Sequence, residues 1–241
     1  MSSSADKAPA SGPPLAGGAT AYLAGVMLVA GAAAAAALLT FDVDQRDVAM
    51  FLVLGAAAAA AQLFVVETGN NYGFPLAVTF VVAGVLLLPV GLVALLGLAM
   101  HGPDALRRRS PWYIQSFNTG NYTLNGLAAW LAARTIADLG APAGARWAIA
   151  GLVGCTVFVA LNHVLLAAML RLARGHGIRA SGLFSSEALS IDLALAALGL
   201  GVAALAQENA GVAVAVVAPL LLAHRLFHLM AAASGPLATP R

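Results

Sequence analysis

The side chains best suited to chemistry in this sequence are amides, and they concentrate in Arg107–Asn125, the segment R-R-R-S-P-W-Y-I-Q-S-F-N-T-G-N-Y-T-L-N. A helix that begins near Trp112 places three amides on one face, at i, i+3 and i+7, with a fourth at its edge. They are Asn118, Asn121 and Asn125, with Gln115 at the edge. Because lipid cannot hydrogen-bond an amide, this face must point into a protein interior or a hydrated cavity. It would there either line a ligand site or bond neighbouring helices, at about 1 kcal/mol or less per bond.

Two further apolar segments carry polar side chains that could contact a ligand. Asn162 and His163 lie in the middle of one, and Asp192 lies near the start of the other. An ionisable group inside a membrane helix is a functional candidate by default, although Asp192 is close enough to its helix start to reach the headgroups. We expect His163 to hydrogen-bond a neighbouring helix rather than to bind a metal or haem. We therefore predict Asn162 and Asp192 as additional ligand-binding candidates.

The sequence lacks the motifs that would make it an enzyme. It contains no H-E-x-x-H, no G-x-S-x-G, no Walker loop and no G-x-G-x-x-G after a strand. Cys155 is the only cysteine, so zinc sites built from several cysteines and paired-cysteine redox chemistry are excluded within the chain. No basic patch is interleaved with aromatic residues, as nucleic-acid binding would favour. We predict a non-catalytic protein with no cofactor and no metal.

Composition assigns the chain to the membrane. Of its 241 residues, 61% are hydrophobic and only 9% are charged, whereas a soluble domain carries about a quarter charged residues. Apolar segments of roughly 20 residues recur along the whole length, as membrane-spanning helices require. The predicted fold is therefore all-α, a polytopic membrane helical bundle embedded in the lipid bilayer.

About seven spanning helices are predicted. Their segments are Ala19–Leu39, Val48–Val66, Pro75–Met100, Trp112–Leu139, Arg146–Leu172, Ser186–Ala206 and Gly211–Met230. The third contains Pro89, which would either kink one tilted helix or divide it into two short segments. The predicted domain organisation is a disordered tail at 1–18, a single transmembrane domain at 19–230 and a short cytoplasmic tail at 231–241.

The arginines predict the orientation in the membrane. Arg107–Arg109, Arg171–Arg179 and Arg225 fall on one side if the helices between them form hairpins. The positive-inside rule places that side, with the C-terminus, in the cytoplasm. The N-terminus would lie outside if Pro75–Met100 is one span, and inside if it is two segments. The expected location is the bacterial inner membrane, crossed several times.

Several motifs resemble a known membrane region. An apolar segment with a central proline, F-V-V-A-G-V-L-L-L-P, precedes an arginine-rich loop, a Pro-Trp pair, and a Phe-Asn pair with a second amide three residues later. A later helix carries an asparagine, and the last contains proline, leucines and a basic exit. These residues are Arg107–Arg109, Pro111, Trp112, Phe117, Asn118, Asn121, Asn162, Pro219–Leu222, His224 and Arg225. In these motifs the chain resembles the N-terminal multi-pass membrane sensor region of bacterial diguanylate cyclases and HD-type phosphohydrolases.

The resemblance implies a sensor, but the catalytic domain that follows such regions is missing here. There is no G-G-D-E-F-type signature and no His-Asp metal site. The resemblance therefore implies a non-catalytic sensor or regulatory module that binds a small or lipophilic ligand and signals to a separate cytoplasmic protein. A fainter similarity to the substrate-binding subunits of energy-coupling-factor vitamin transporters leaves a small-solute transport component open, as does a purely structural membrane protein. The oligomeric state is left open by the sequence.

Overall fold

The computed structural model describes residues 15–40, 42–63, 66–67, 73–107, 111–137, 143–175, 177, 181–209, 211, 217–223 and 225. Within these residues the helices are α1 (Gly17–Leu39), α2 (Gln45–Leu63), α3 (Ala77–Leu87), α4 (Val90–Arg107), α5 (Trp112–Ala137), α6 (Ala143–Arg174) and α7 (Ser186–Glu208). Residues 217–223 are helical as well. Between α2 and α3, β1 (Val66–Glu67) pairs antiparallel with β2 (Gly73–Phe74). The prediction of an all-helical bundle is thus confirmed, apart from this short ladder.

Four of these helices are long and apolar enough to cross a membrane, namely α1, α2, α6 and α7. The number of seven spans is not established by that criterion. α5 is 26 residues long but carries the amides, and α3 has only 11 residues. A helix of that length rises about 16 Å, roughly half of a hydrocarbon core of about 30 Å. The predicted tail at 231–241 and most of the tail at 1–18 lie outside the described residues.

The segment Pro75–Met100 is divided at Pro89 into α3 and α4. Leu88 has an extended backbone, with φ −98° and ψ 151°, the conformation favoured before proline. α3 and α4 then fold back on each other, because a Cβ on Gly84 would lie 2.5 Å from Cδ1 of Leu96. In a continuous helix these two residues would be about 18 Å apart. The two-segment alternative is therefore the one the chain adopts.

The break between α3 and α4 is supported by α5. The indole Nε1 of Trp130 donates a hydrogen bond of 3.2 Å to the carbonyl of Leu88, which lies at the end of α3. Carbonyls at a helix end have no intrahelical partner, and lipid offers none. Trp130 thus satisfies a backbone group that the break would otherwise leave exposed to the apolar interior.

α3 lies at the centre of the bundle. Every residue from Ala77 to Val85 is buried. The hydroxyl of Thr79 donates to the carbonyl of Leu195 on α7 at 3.0 Å, and a Cβ on Gly199 would lie 2.5 Å from the carbonyl oxygen of Thr79. Glycine at position 199 therefore permits the close backbone approach that holds α3 against α7.

Two helix ends that carry arginines, those of α4 and α6, come together with the starts of α1 and α5. Gln115 bonds Asp104, which joins the start of α5 to the end of α4. Tyr22 of α1 donates to the carbonyl of Leu165 on α6 at 3.1 Å, and its ring lies 6.4 Å from that of Phe117 on α5. The starts of α1 and α5 and the ends of α4 and α6 therefore share one end of the bundle. We call it the basic end, since Arg107, Arg171 and Arg174 lie there.

Arg107, Arg171 and Arg174 lie at one end of the bundle, as the sequence predicts; the placement of Arg225 at that end stays a prediction. Arg108, Arg109 and Arg179 lie outside the described part of the chain. α1 also starts at the basic end, as expected for the two-segment form of Pro75–Met100. The cytoplasmic location of the basic end stays a prediction of the positive-inside rule.

Candidate functional site

Three of the predicted amides form one hydrogen-bonded cluster between α5 and α6. Asn121 donates from Nδ2 to Oδ1 of Asn162 at 2.6 Å. Asn125 donates from Nδ2 to the same oxygen and to Oδ1 of Asn121, both at 3.3 Å. A spacing of four residues places Asn121 and Asn125 one above the other on α5, facing the middle of α6. We call these three residues the amide cluster.

The α5 side of the amide cluster is enclosed by protein, whereas Asn162 on α6 is only partly buried. Asn121 and Asn125 are 2% and 0% exposed. Close packing of the two helices contributes to this enclosure, because a Cβ on Gly154 of α6 would lie 3.4 Å from the carbonyl of Ala129 on α5. One polar atom is left over: Oδ1 of Asn125 has no hydrogen-bond partner among the described residues. That oxygen is the amide cluster's open acceptor for a water or a ligand.

The other two amides of the predicted face lie elsewhere. Gln115 is buried and donates from Nε2 to Oδ2 of Asp104 on α4 at 3.0 Å. Asn118 is only partly buried, and no hydrogen bond from its side chain is found within the described residues. The structure therefore brings together Asn121, Asn125 and Asn162, and separates them from Gln115 and Asn118.

Asp192 is paired with His163 across α6 and α7. Its Oδ2 lies 2.8 Å from Nε2 of His163, and the two side chains are 6% and 1% exposed. The ring of Phe184 lies 5.7 Å from the imidazole. The expectation that His163 bonds a neighbouring helix is met, and the partner is the acidic residue that the sequence singled out as a ligand candidate. Nδ1 of His163 has no partner among the described residues.

Two buried ionisable residues were missed by the sequence analysis, which ended the third span at Met100. α4 continues to Arg107 and buries His101 and Asp104. The imidazole of His101 packs edge-on against Tyr122, with ring centroids 5.0 Å apart, and neither ring nitrogen has a hydrogen-bond partner in the described part of the chain. The available signal was the i, i+3 spacing of His101 and Asp104, which places both on one helix face.

Several buried polar groups therefore lie in the part of the bundle nearer the basic end, and we call them together the polar interior. They are Asp104 with Gln115, His101, the amide cluster and the His163–Asp192 pair. Among the described residues, no group of three or more His, Cys, Asp or Glu side chains is placed to hold a metal ion. The atoms present can accept and donate hydrogen bonds.

A cavity of about 390 Å³ opens at the end opposite the basic end. It lies between the starts of α2 and α6 and the ends of α3, α5 and α7. Its polar lining consists of Asp44, Arg46, Asp47, Trp130, Arg134, Trp147 and Gln207, and its apolar lining includes Met50, Val85, Leu86, Leu87, Ala133, Ala150 and Ala206. No local pattern predicts it, because its lining comes from five different helix ends. We call it the opposite-end cavity.

Comparison with known proteins adds no assignment. No family model, no curated protein and no solved structure matches the chain. The similarity to the sensor region of diguanylate cyclases and HD-type phosphohydrolases therefore rests on the sequence motifs alone. What can be stated of the chain itself is an all-helical architecture, compatible with a membrane, around a buried polar interior.

Proposed function

We propose that the chain is a non-catalytic sensor or regulatory module of the bacterial inner membrane. It binds a small or lipophilic ligand in its polar interior and signals to a separate cytoplasmic protein. The observation that carries the proposal is the open amide oxygen of Asn125, fully buried within the amide cluster. A helix–helix contact alone does not need an unmatched acceptor in an apolar bundle, where such a group is costly.

The same imbalance recurs along the polar interior. Buried atoms without a hydrogen-bond partner in the described residues also occur on His101, Gln115 and His163. Native interiors satisfy nearly all buried polar groups, with ordered water where protein atoms are missing. A series of such atoms inside a membrane bundle supports a site that holds waters or a polar part of a ligand. Removal of that ligand would then change the hydrogen bonding between α4, α5 and α6.

The output side of the proposal rests on charge. Arg107, Arg171 and Arg174 lie at the basic end, which the positive-inside rule assigns to the cytoplasm. The polar interior lies toward this same end. A change in how α4, α5 and α6 bond to one another would therefore be transmitted over a short distance to the surface that a cytoplasmic protein can contact. The motif resemblance to sensor regions supports the same direction of signalling.

A transport component is the second candidate, favoured by the buried ionisable residues. His101 and Asp104 on α4, His163 on α6 and Asp192 on α7 are all buried. Ionisable residues in such positions often line a path for ions or substrates.

A substitution in the amide cluster separates the candidates. Asn125→Leu removes the open acceptor, and Asn118→Leu is the matched control on the same helix outside the cluster. We expect a tagged wild-type protein and Asn118→Leu to recover a soluble cytoplasmic protein from cells, and Asn125→Leu to change that recovery. Failure of every form to recover a soluble protein would contradict the sensor proposal.

Uptake of a solute into membrane vesicles tests the transport and structural alternatives. Accumulation of a solute that is lost in Asn125→Leu and kept in Asn118→Leu would favour transport. A purely structural role predicts that Asn121→Ala and Asn125→Ala lower stability while recovery, uptake and growth stay at wild-type levels.

A further inference from the structure

The opposite-end cavity has the size of a binding site. Its volume of about 390 Å³ lies within the range of small-molecule pockets, roughly 300–1,000 Å³. One side of the lining is apolar, because Val85, Leu86 and Leu87 contribute to it from the end of the buried helix α3, and we take this side as the floor. The rim is polar and charged. A ligand that fits this arrangement has an apolar part that enters first and a polar part that stays at the rim.

The two indoles that line the cavity give it a fixed wall. Trp130 is held in place by its hydrogen bond to the carbonyl of Leu88, and the guanidinium of Arg134 lies 5.4 Å from the centre of the Trp130 ring. This distance is in the range of a cation–π contact. Tryptophan favours the level of the lipid headgroups, where one side of the ring is apolar and the other is wet. We expect the helix ends that frame the cavity at that level, because α2, α6 and α7 are long and apolar enough to cross a membrane.

The rim offers charges of both signs. Arg46 and Arg134 are exposed, and neither forms an ion pair within the described part of the chain. Asp44 and Asp47 accept backbone N–H groups at the start of α2, at 2.7 Å and 3.4 Å, a reciprocal cap. A carboxylate has lone pairs beyond the one used in each cap. A purely anionic ligand would meet the carboxylates, and a purely cationic ligand would meet the guanidinium groups.

We propose that the opposite-end cavity binds a zwitterionic phospholipid. The phosphate would lie against the guanidinium groups of Arg134 and Arg46, and the ammonium group of the headgroup would lie against the carboxylates of Asp44 and Asp47. The upper part of an acyl chain would occupy the apolar floor beside Trp130 and Trp147. This site is separate from the polar interior and does not depend on the function proposed for it.

Fluorescence quenching tests this site directly, because the chain has three tryptophans and Trp112 lies at the basic end. In a Trp112→Phe background the remaining two both line the cavity. The protein is placed in nanodiscs of anionic phosphatidylglycerol, and chain-brominated phosphatidylethanolamine is added at low mole fraction. We expect this quenching to saturate at a low mole fraction of the brominated phosphatidylethanolamine. Brominated phosphatidylglycerol, added to nanodiscs of phosphatidylethanolamine, should need a much higher mole fraction to saturate.

Variants and a soluble competitor complete the test. Arg134→Gln and Asp44→Asn should each weaken the zwitterionic lipid about tenfold, the usual effect of losing one charge-assisted contact, and Asn keeps the helix cap. Arg174→Gln at the basic end is the matched control and should leave quenching unchanged. Equal quenching by both lipids, or unchanged quenching in Arg134→Gln, would overturn the proposal. Displacement by soluble glycerophosphoethanolamine at comparable concentration would show that the site recognises the headgroup alone and would overturn the lipid assignment.

Discussion

Replacing either member of the His163–Asp192 pair alone should destabilise the protein more than replacing both together. The two side chains are bonded at 2.8 Å and almost completely buried. His163→Leu leaves a carboxylate without its imidazole, and Asp192→Leu leaves an imidazole without its carboxylate. The double variant places two apolar side chains of similar size between α6 and α7, so no polar group of the pair remains to be desolvated.

The magnitude follows from the cost of a buried group that loses its partner. Breaking a buried pair on one side costs about 3–5 kcal/mol, whereas replacing both members by apolar residues is often neutral or stabilising. Hydrogen bonds in membrane proteins average about 0.6 kcal/mol, so we take the lower end, about 3 kcal/mol for each single variant. Additive effects would then give about 6 kcal/mol for the double variant. We expect less than about 2 kcal/mol.

Unfolding by SDS in mixed micelles, followed by circular dichroism, measures these free energies. Asn118→Leu is the control, because that side chain is partly exposed and outside the amide cluster. Asp192→Asn keeps a polar atom within reach of the imidazole, so it should retain most of the free energy of unfolding that Asp192→Leu loses. A double variant that costs the sum of the two single variants would refute the reasoning and show that each residue is stabilised by separate contacts.

Three further predictions concern packing and access. Gly199→Ala should destabilise the protein by about 1–3 kcal/mol, because its Cβ would lie 2.5 Å from the α3 backbone. Gly201→Ala, with open space around it, should be neutral or slightly stabilising. Equal effects of the two variants in SDS unfolding would contradict the close approach of α3 and α7. Trp130→Phe removes the hydrogen bond to the Leu88 carbonyl and should cost about 1 kcal/mol of unfolding free energy in the same assay, whereas Trp112→Phe should cost little. An effect at Trp130 no larger than that at Trp112 would argue against its support of the break. Cys155 is buried and should react with a small maleimide only after unfolding, as mass spectrometry can follow; rapid labelling of the native protein would place the thiol on an accessible path.

The helical architecture was predictable because it depends on summed composition and segment length. The break at Pro89 was predictable only as one of two alternatives. A proline bends a helix in either case, and the choice depends on a partner far away in the chain, the indole of Trp130. Met100 was a reasonable end for an apolar segment, but α4 continues because Asp104 finds Gln115 on α5. Hydropathy along one segment does not report such partners.

The amide face was predictable as a pattern and only partly as a site. Helical spacing places Asn118 and Asn125 on nearly the same side of α5, yet one is partly exposed and the other is completely buried. The difference arises from depth along the helix, since Asn162 of α6 meets α5 at Asn121 and Asn125. The opposite-end cavity was not predictable, because five helix ends form it and none of them carries a local signal.

The central position of α3 has a consequence for how the protein is made. Eleven residues are too few to span a bilayer, so this segment has little tendency to enter lipid alone. One of its fixed contacts, from Thr79 to Leu195, joins residues 116 positions apart. At a synthesis rate of about 5–20 residues per second, α7 leaves the ribosome roughly 6–23 seconds after α3. During that interval α3 must be held by earlier helices or by the insertion machinery. Mutations at Thr79 or Gly199 should therefore lower the yield of assembled protein, in addition to any loss of stability in the protein that does assemble.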